Sequence, residues 1–145
     1  MKIVLATDHA GFELKEQIKK KLLNQNFEVK DFGASVYDAL DDYPDFIIPA
    51  AKFISKNSDY LGIILGGSGQ GEAMAANRVK GIRAVVYYNG PKNIVKLSRQ
   101  HNNANILSIG ARFLSLDDAM DTINLWLKTD FEGDRHQRRI EKLDK

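Results

Sequence analysis

The chain has 145 residues, 43% of them hydrophobic and 28% charged, a composition that suits one soluble globular domain spanning residues 1–145. A formal charge of only +2 lacks the basic excess of nucleic-acid binders, no run approaches the roughly 18 apolar residues of a membrane span, and Met1–Ala6 is too short for a signal core, so neither nucleic acid nor membrane is expected as a partner. The absence of cysteine excludes disulfides, thiolate metal sites and a cysteine nucleophile, and fits a reducing cytoplasm. In chain order, Lys2–Ala6 is a short apolar run that predicts a buried first strand, ending at Thr7-Asp8-His9. Leu14, Ile18 and Leu22 fall four apart within Phe12–Leu23, one face of a helix. Glu28–Phe32 reads as a weaker second strand, and Pro44 opens a helical stretch carrying Phe46, Ile47, Ala50, Ala51 and Ile54. Tyr60–Leu65, Arg83–Tyr88 and Ile106–Gly110 read as the third, fourth and fifth strands, with a helix at Asn93–Gln100 between the last two. Leu116, Met120, Ile123 and Leu127 mark a strongly amphipathic helix. Arg135–Leu143 closes the chain as a helix capped by Asp134, with Ile140 and Leu143 on its packed side.

Strands alternating with helices predict an α/β, three-layer Rossmann-like domain: a five-stranded parallel sheet, helices on both faces and a C-terminal helix. Ligands of such sheets bind outside the carboxyl ends of the strands. Thr7-Asp8-His9, the glycine-rich segment after strand three and Gly110-Ala111-Arg112 therefore belong on one rim.

The segment Gly66-Gly67-Ser68-Gly69-Gln70-Gly71-Glu72 carries the most chemistry. Four glycines in six residues let backbone N–H groups crowd one spot at a helix start, which suits an oxyanion. It is not a Walker loop, because it ends Gly71-Glu72-Ala73 where Gly-Lys-Ser/Thr is required. It is not a dinucleotide fingerprint, because Glu72 or Met74 stands where the last glycine belongs. A phospho-receiver needs Asp and Lys where Gly66 and Gly110 stand. The glycines also suit a plain tight turn. Glu72, in the first helical turn, suits the dipole, which favours its ionised form, and equally a general base beside a developing oxyanion.

The histidines are His9 on the rim, His101 in the polar run Arg99-Gln100-His101-Asn102-Asn103, and His136 within Arg135-His136-Gln137-Arg138-Arg139. None has ligand spacing to another, so no metal is expected. Arg135 and Arg139 share a helix face and suit either a solvated basic helix or a fork for phosphate, which Arg112 is placed to join. Asp8 suits an Asx turn or N-cap as well as a chemical role.

Asp8-His9-Ala10-Gly11, Asp42-Tyr43-Pro44, Gly66 to Glu72, Arg99-Gln100-His101-Asn102 and Arg135 to Arg139, in this order and spacing, resemble the ribose-5-phosphate isomerase B family, which includes the galactose-6-phosphate isomerase subunits. The resemblance runs from the first strand to the last helix. It implies a cofactor-free aldose–ketose isomerase of the pentose phosphate pathway, interconverting D-ribose 5-phosphate and D-ribulose 5-phosphate through a cis-enediolate. One branch uses a cysteine base where Gly66 stands here; the other uses a glutamate that matches Glu72. His101 matches the acid that opens the furanose ring, with Asp8 as its counterpart. Ser68 and the backbone of Gly67, Ser68, Gly69, Gln70 and Gly71 match the oxyanion site. Asn102 and Tyr43 match substrate contacts, and His9, Arg112, Arg135 and Arg139 the phosphate set. Such enzymes are homodimers or homotetramers with shared sites, so His101, Asn102 and Arg112 are expected from a neighbouring subunit. The segment Tyr87–Lys92 departs from the family pattern and lies on the same rim, where it would shape sugar-length preference. Alternatives are a galactose-6-phosphate or allose-6-phosphate isomerase, a subunit active only with a partner chain, and a non-catalytic phosphate- or nucleotide-binding module that would leave Glu72 and His101 idle.

Overall fold

Five strands, Lys2–Thr7 (β1), Glu28–Asp31 (β2), Tyr60–Gly66 (β3), Ala84–Tyr87 (β4) and Ile106–Gly110 (β5), pair exclusively in parallel in the order β2-β1-β3-β5-β4. The structure is a computed structural model describing residues 1–145. The helices are Phe12–Asn24 (α1), Pro44–Lys56 (α2), Gln70–Asn77 (α3), Asn93–Asn102 (α4), Leu116–Lys128 (α5) and Arg135–Ile140 (α6). The three central strands are apolar on both faces because both faces are covered. Ile3, Leu5, Ile63, Leu65, Leu107 and Ile109 point into one core with Ile18, Leu22, Val95, Ile123 and Trp126 from α1, α4 and α5. Val4, Ala6, Ile64 and Ile106 point the other way, against Ile47, Ala51, Ala73 and Ala76 from α2 and α3. Alternate residues thus serve opposite cores, as strand geometry requires. Trp126 is fully buried and satisfies its indole N–H on Ser98 Oγ at 3.2 Å.

The chain steps from β1 outward to β2, then crosses back to β3 on the other side of β1. Successive crossovers diverge there and open a crevice above the carboxyl ends of β1 and β3. Thr7 Oγ1 donates to the Leu65 carbonyl at 2.9 Å and fixes the two strand ends together. Below the adjoining loop, the fully buried Lys15 ammonium donates to both Asp31 carboxylate oxygens and to the Ala34 carbonyl, each at 2.8 Å. These hydrogen bonds, with others from Gly33 and Lys19, outweigh burial and hold the Asp31 carboxyl below its ordinary pKa.

The C-terminal helix departs from expectation. α6 ends at Ile140, and Asp134 adopts φ 53° with no side-chain cap, because the tight turn at Gly133-Asp134 turns its carboxylate away from the first-turn amides. Its buried side is His136, while Leu143 lies 64% exposed beyond the helix end. No helix is long and apolar enough to cross a membrane.

Candidate active site

The glycine loop is shaped by what lies over it. Gly69 takes φ 79°, the left-handed turn that converts β3 into α3, and a methyl group there would sit 3.0 Å from both the Ile109 carbonyl carbon and Ser108 Oγ. Ser108 Oγ donates to the Gly69 carbonyl at 2.6 Å and staples the loop to β5. A methyl group at Gly66 would overlap the Glu72 carboxylate, so the carboxylate occupies the space a side chain at position 66 would fill. The Arg112 guanidinium lies over Gly67, and the Tyr43 ring over Gly71. Arg112 N–H also donates to the Gly67 carbonyl at 3.1 Å. The N–H groups of Gly67, Ser68 and Gly69 donate to no protein acceptor, and Ser68 Oγ accepts from the Gln70 amide at 3.3 Å. Free backbone donors and one carboxylate therefore share a pocket with a guanidinium at its side.

Across the crevice, Asp8 is buried and accepts from the Ala10 amide at 3.0 Å, capping the short 3-10 turn His9–Gly11. It thus has the Asx role and still lies near enough for its charge to act on Glu72. Burial chiefly, and the Asp8 charge in addition, push the Glu72 pKa upward against the pull of its own backbone amide. The dipole argument had favoured an easily ionised Glu72; desolvation reverses that direction, because the side chain lies under the loop instead of at the solvent edge of the helix. His9 Nδ1 donates to Asp41 Oδ1 at 2.7 Å, and the His9 backbone N–H donates to the same oxygen at 2.9 Å. The Asp41 hydrogen bond and the Asp8 and Asp41 charges raise the His9 pKa despite desolvation and Arg112. Nδ1 is thereby committed, and Nε2 remains for a ligand.

A second cluster forms at the opposite, amino end of the sheet, where α4 and α5 terminate. His101 and His136 stack with ring centroids 4.2 Å apart and planes inclined by 12°. Glu132 Oε2 lies 4.0 Å from His101 Nε2 and 3.8 Å from His136 Nε2. The Glu132 backbone N–H donates to the Gln100 carbonyl at 3.1 Å, tying this loop to the end of α4. His136 is buried and its Nε2 has no hydrogen-bond partner. Burial first, then the charges of Arg135, His101 and Arg139, depress its pKa, so the inner ring stays neutral while the outer His101 ring remains partly exposed. Arg135, Arg139 and Asn102 are exposed around it.

One chain thus gathers Asp8, His9, Tyr43, Glu72, Ser68, the glycine loop and Arg112 on the carboxyl rim. His101, Asn102, Arg135 and Arg139 lie at the other end. Arg112 departs from two expectations: it stands over its own chain's Gly67, neither grouped with His101 nor beside Arg135 and Arg139, because the turn after β5 belongs to the rim. Two of the histidines, far apart in sequence, also meet in the fold: α4 and α6 bring His101 and His136 ring to ring across 35 positions. Asp41, Ser108 and Glu132 escaped the sequence reading. The acidic pair Asp41-Asp42 ahead of Pro44 was the available signal for the first; nothing local marks the other two.

Residues 3–143 match the ribose/galactose isomerase family. The chain is 44% identical over 142 residues to a probable ribose-5-phosphate isomerase B from Mycoplasma genitalium, covering 97% of this chain and 92% of that one. It is 43% identical over 144 residues to ribose-5-phosphate isomerase B of Mycolicibacterium paratuberculosis, covering 99% and 89%. Among solved structures, it superposes with a TM-score of 0.92 at 43% identity on M. genitalium ribose-5-phosphate isomerase B with bound ribulose-5-phosphate, covering 98% of this chain and 93% of that one. The Clostridium thermocellum ribose-5-phosphate isomerase B superposes at 0.93 with 41% identity, covering 99% and 95%. The chain belongs to the ribose/galactose isomerase family.

Proposed function

We propose that the protein interconverts D-ribose 5-phosphate and D-ribulose 5-phosphate, with Glu72 as the base that carries a proton between C2 and C1. The observation that carries this is the Glu72 carboxylate, buried over Gly66 beside the unpaired N–H groups of Gly67, Ser68 and Gly69. A base with a raised pKa holds a proton more firmly once it has taken it, which suits a group that must return it. Removal of the C2 proton develops negative charge on the C1 oxygen, and free backbone donors beside the base oppose that charge at little reorganisation cost. The imidazolium of His9 and the guanidinium of Arg112 attract the phosphate from the rim.

Ribose 5-phosphate is mainly a furanose, so the ring must open before C2 becomes acidic. His101 supplies the proton for opening, with Asp8 across the crevice as its counterpart. Glu132 lies at ion-pair distance from the His101 ring, and the His136 ring supports its face. Both ends of the sheet must then meet at one substrate, which calls for a second copy. In a two-fold pair, the amino end of each chain faces the carboxyl rim of its partner, and Asn102, Arg135 and Arg139 complete the phosphate and sugar contacts. The open edge of β4 supports such a pair: Met74, Tyr88, Ile94 and Phe113 are exposed around it, and Val86 joins the groove beside Met74 to the one beside Ile94. The reading includes a cytoplasmic location and a homodimer, alone or doubled into a tetramer.

Purified protein is expected to isomerise ribose 5-phosphate, and Glu72→Gln to bind it with kcat reduced at least about 10²-fold. Full activity in Glu72→Gln would move the base elsewhere. An inert wild type that turns over a six-carbon aldose phosphate would instead replace the substrate.

A further inference from the structure

A cavity of about 360 Å³ lies at the amino ends of β3, β4 and β5, behind the end of α4. Arg83 and Arg99 line it with Ser55, Ser58, Asn103 and Asn105. Neither guanidinium has a carboxylate within ion-pair distance; Asp144 and Asp130 act on them only from further off. Arg83 donates through Nε to the Asn102 and Asn103 carbonyls, at 3.1 and 2.9 Å, and through Nη1 to the Gly81 carbonyl at 3.3 Å. Arg99 donates through Nε to the Thr129 carbonyl at 3.2 Å, and through Nη1 to Asn103 Oδ1 at 3.1 Å and the Ala104 carbonyl at 2.6 Å. Nη2 of each makes no protein hydrogen bond. Both pKa values are lowered by burial, and that of Arg99 also by the charge of Arg83, as expected of two like charges in one partly desolvated space.

Binding the Asn103 side chain and the carbonyls of Gly81, Asn102, Asn103, Ala104 and Thr129 accounts for Nε and Nη1 of each side chain. With the Trp126 ring 5.5 Å from Arg99 Cζ covering one guanidinium, it still leaves two positive charges with no carboxylate at ion-pair distance, beside hydroxyl and amide groups in a cavity wide enough for a tetrahedral anion. We propose that this cavity is a second anion site, taking a small dianion of the phosphate class between the free Nη2 groups. The same two guanidiniums grip Asn102, Asn103 and Ala104, the turn immediately after His101. An occupant that draws them inward therefore shifts the end of α4. On the reading of His101 given above, anion occupancy here modulates turnover without entering the catalytic rim.

The test uses inorganic phosphate with wild type and with Ser58→Asp. Ser58 is exposed, so the substitution adds a carboxylate at the cavity without removing either arginine clamp. In amide NMR titrations, Ser55, Gly81 and Asn105 are expected to shift saturably in wild type and to need about tenfold more phosphate in Ser58→Asp, while Gly67–Gly71 respond equally in both. In kinetics, phosphate should lower kcat as well as raise KM in wild type, but only raise KM in Ser58→Asp. Cavity amides that stay silent while the glycine loop saturates, or that respond alike in both proteins, overturn the site. Saturable cavity shifts with an unchanged kcat overturn the coupling and leave the rim chemistry untouched.

Discussion

The two ends of the sheet are built differently. On the carboxyl rim Asp8 and Glu72 are buried, and Thr7, Ser108 and the Arg112 amide tie the surrounding loops to strand ends. At the amino end Asn102, Arg135 and Arg139 are exposed, and His101 is held by a stacked neighbour and a carboxylate at ion-pair distance. The rim is a preorganised half with its two carboxylates, Asp8 and Glu72, already desolvated. The amino end presents its charges to water. Desolvation strengthens electrostatic interactions in a site, so on the pairing proposed above the exposed half becomes effective on assembly, whereas the carboxylates of the rim are buried beforehand.

The sharpest way to break this comparison is subunit complementation. Glu72→Gln damages only the rim and His101→Asn only the amino end, so each protein alone is expected to be nearly inactive. In a mixed dimer, one site pairs the intact rim of the His101→Asn chain with the intact amino end of the Glu72→Gln chain. Half the dimers in an equal random mixture are mixed and each has one intact site, so activity should recover to about a quarter of wild type. No recovery after verified exchange of subunits would mean that each chain completes its own site, and the division into halves would fall.

Strand and helix periodicity made the layers of the fold readable, because apolar runs such as Ile63-Ile64-Leu65 must be covered on both faces wherever they occur. The rim cluster was readable for the same reason: strand ends in a parallel sheet share one edge, which joins Asp8, Gly66 and Arg112. What escaped depends on tertiary approach. Asp41 reaches His9 across 32 positions, and Glu132 reaches His101 only because α5 returns the chain to the end of α4. The raised pKa of Glu72 was hidden too, since a first-turn position reveals the dipole but not the depth of burial. The cap expected of Asp134 failed on backbone conformation, which residue type alone does not determine.

A smaller effect probes how the exposed half is held. Glu132→Gln keeps the shape beside His101 but removes the carboxylate at ion-pair distance from its ring. Turnover of cyclic ribose 5-phosphate is expected to fall roughly tenfold in kcat/KM. Ribulose 5-phosphate cannot close to a furanose, because its C5 oxygen carries the phosphate. Exchange of its C1 hydrogen with solvent, which needs the enediolate step but no ring opening or closure, should therefore change by no more than about twofold. Equal losses in turnover and in this exchange, with a lowered melting temperature, would reduce Glu132 to a strut for the loop.

The smallest effect expected concerns the buried half and appears only as a function of pH. The Asp41 hydrogen bond is the main reason the His9 pKa is raised, so the imidazolium survives above its ordinary range near 6.5. Phosphate binding that uses this charge should hold at neutral pH and weaken as pH climbs through the raised value. In Asp41→Asn the weakening should begin earlier, near the ordinary value, and appear in KM with kcat unchanged. The sign for stability follows from the same shift. A raised folded-state pKa contributes stability that is complete below the unfolded value and is lost as pH rises through the folded one. Wild type should therefore exceed Asp41→Asn in melting temperature by more at pH 6 than at pH 8. A gap that widens toward pH 8 would mean that Asp41 stabilises neutral His9, and the rim would then offer phosphate a hydrogen-bond donor in place of a charge.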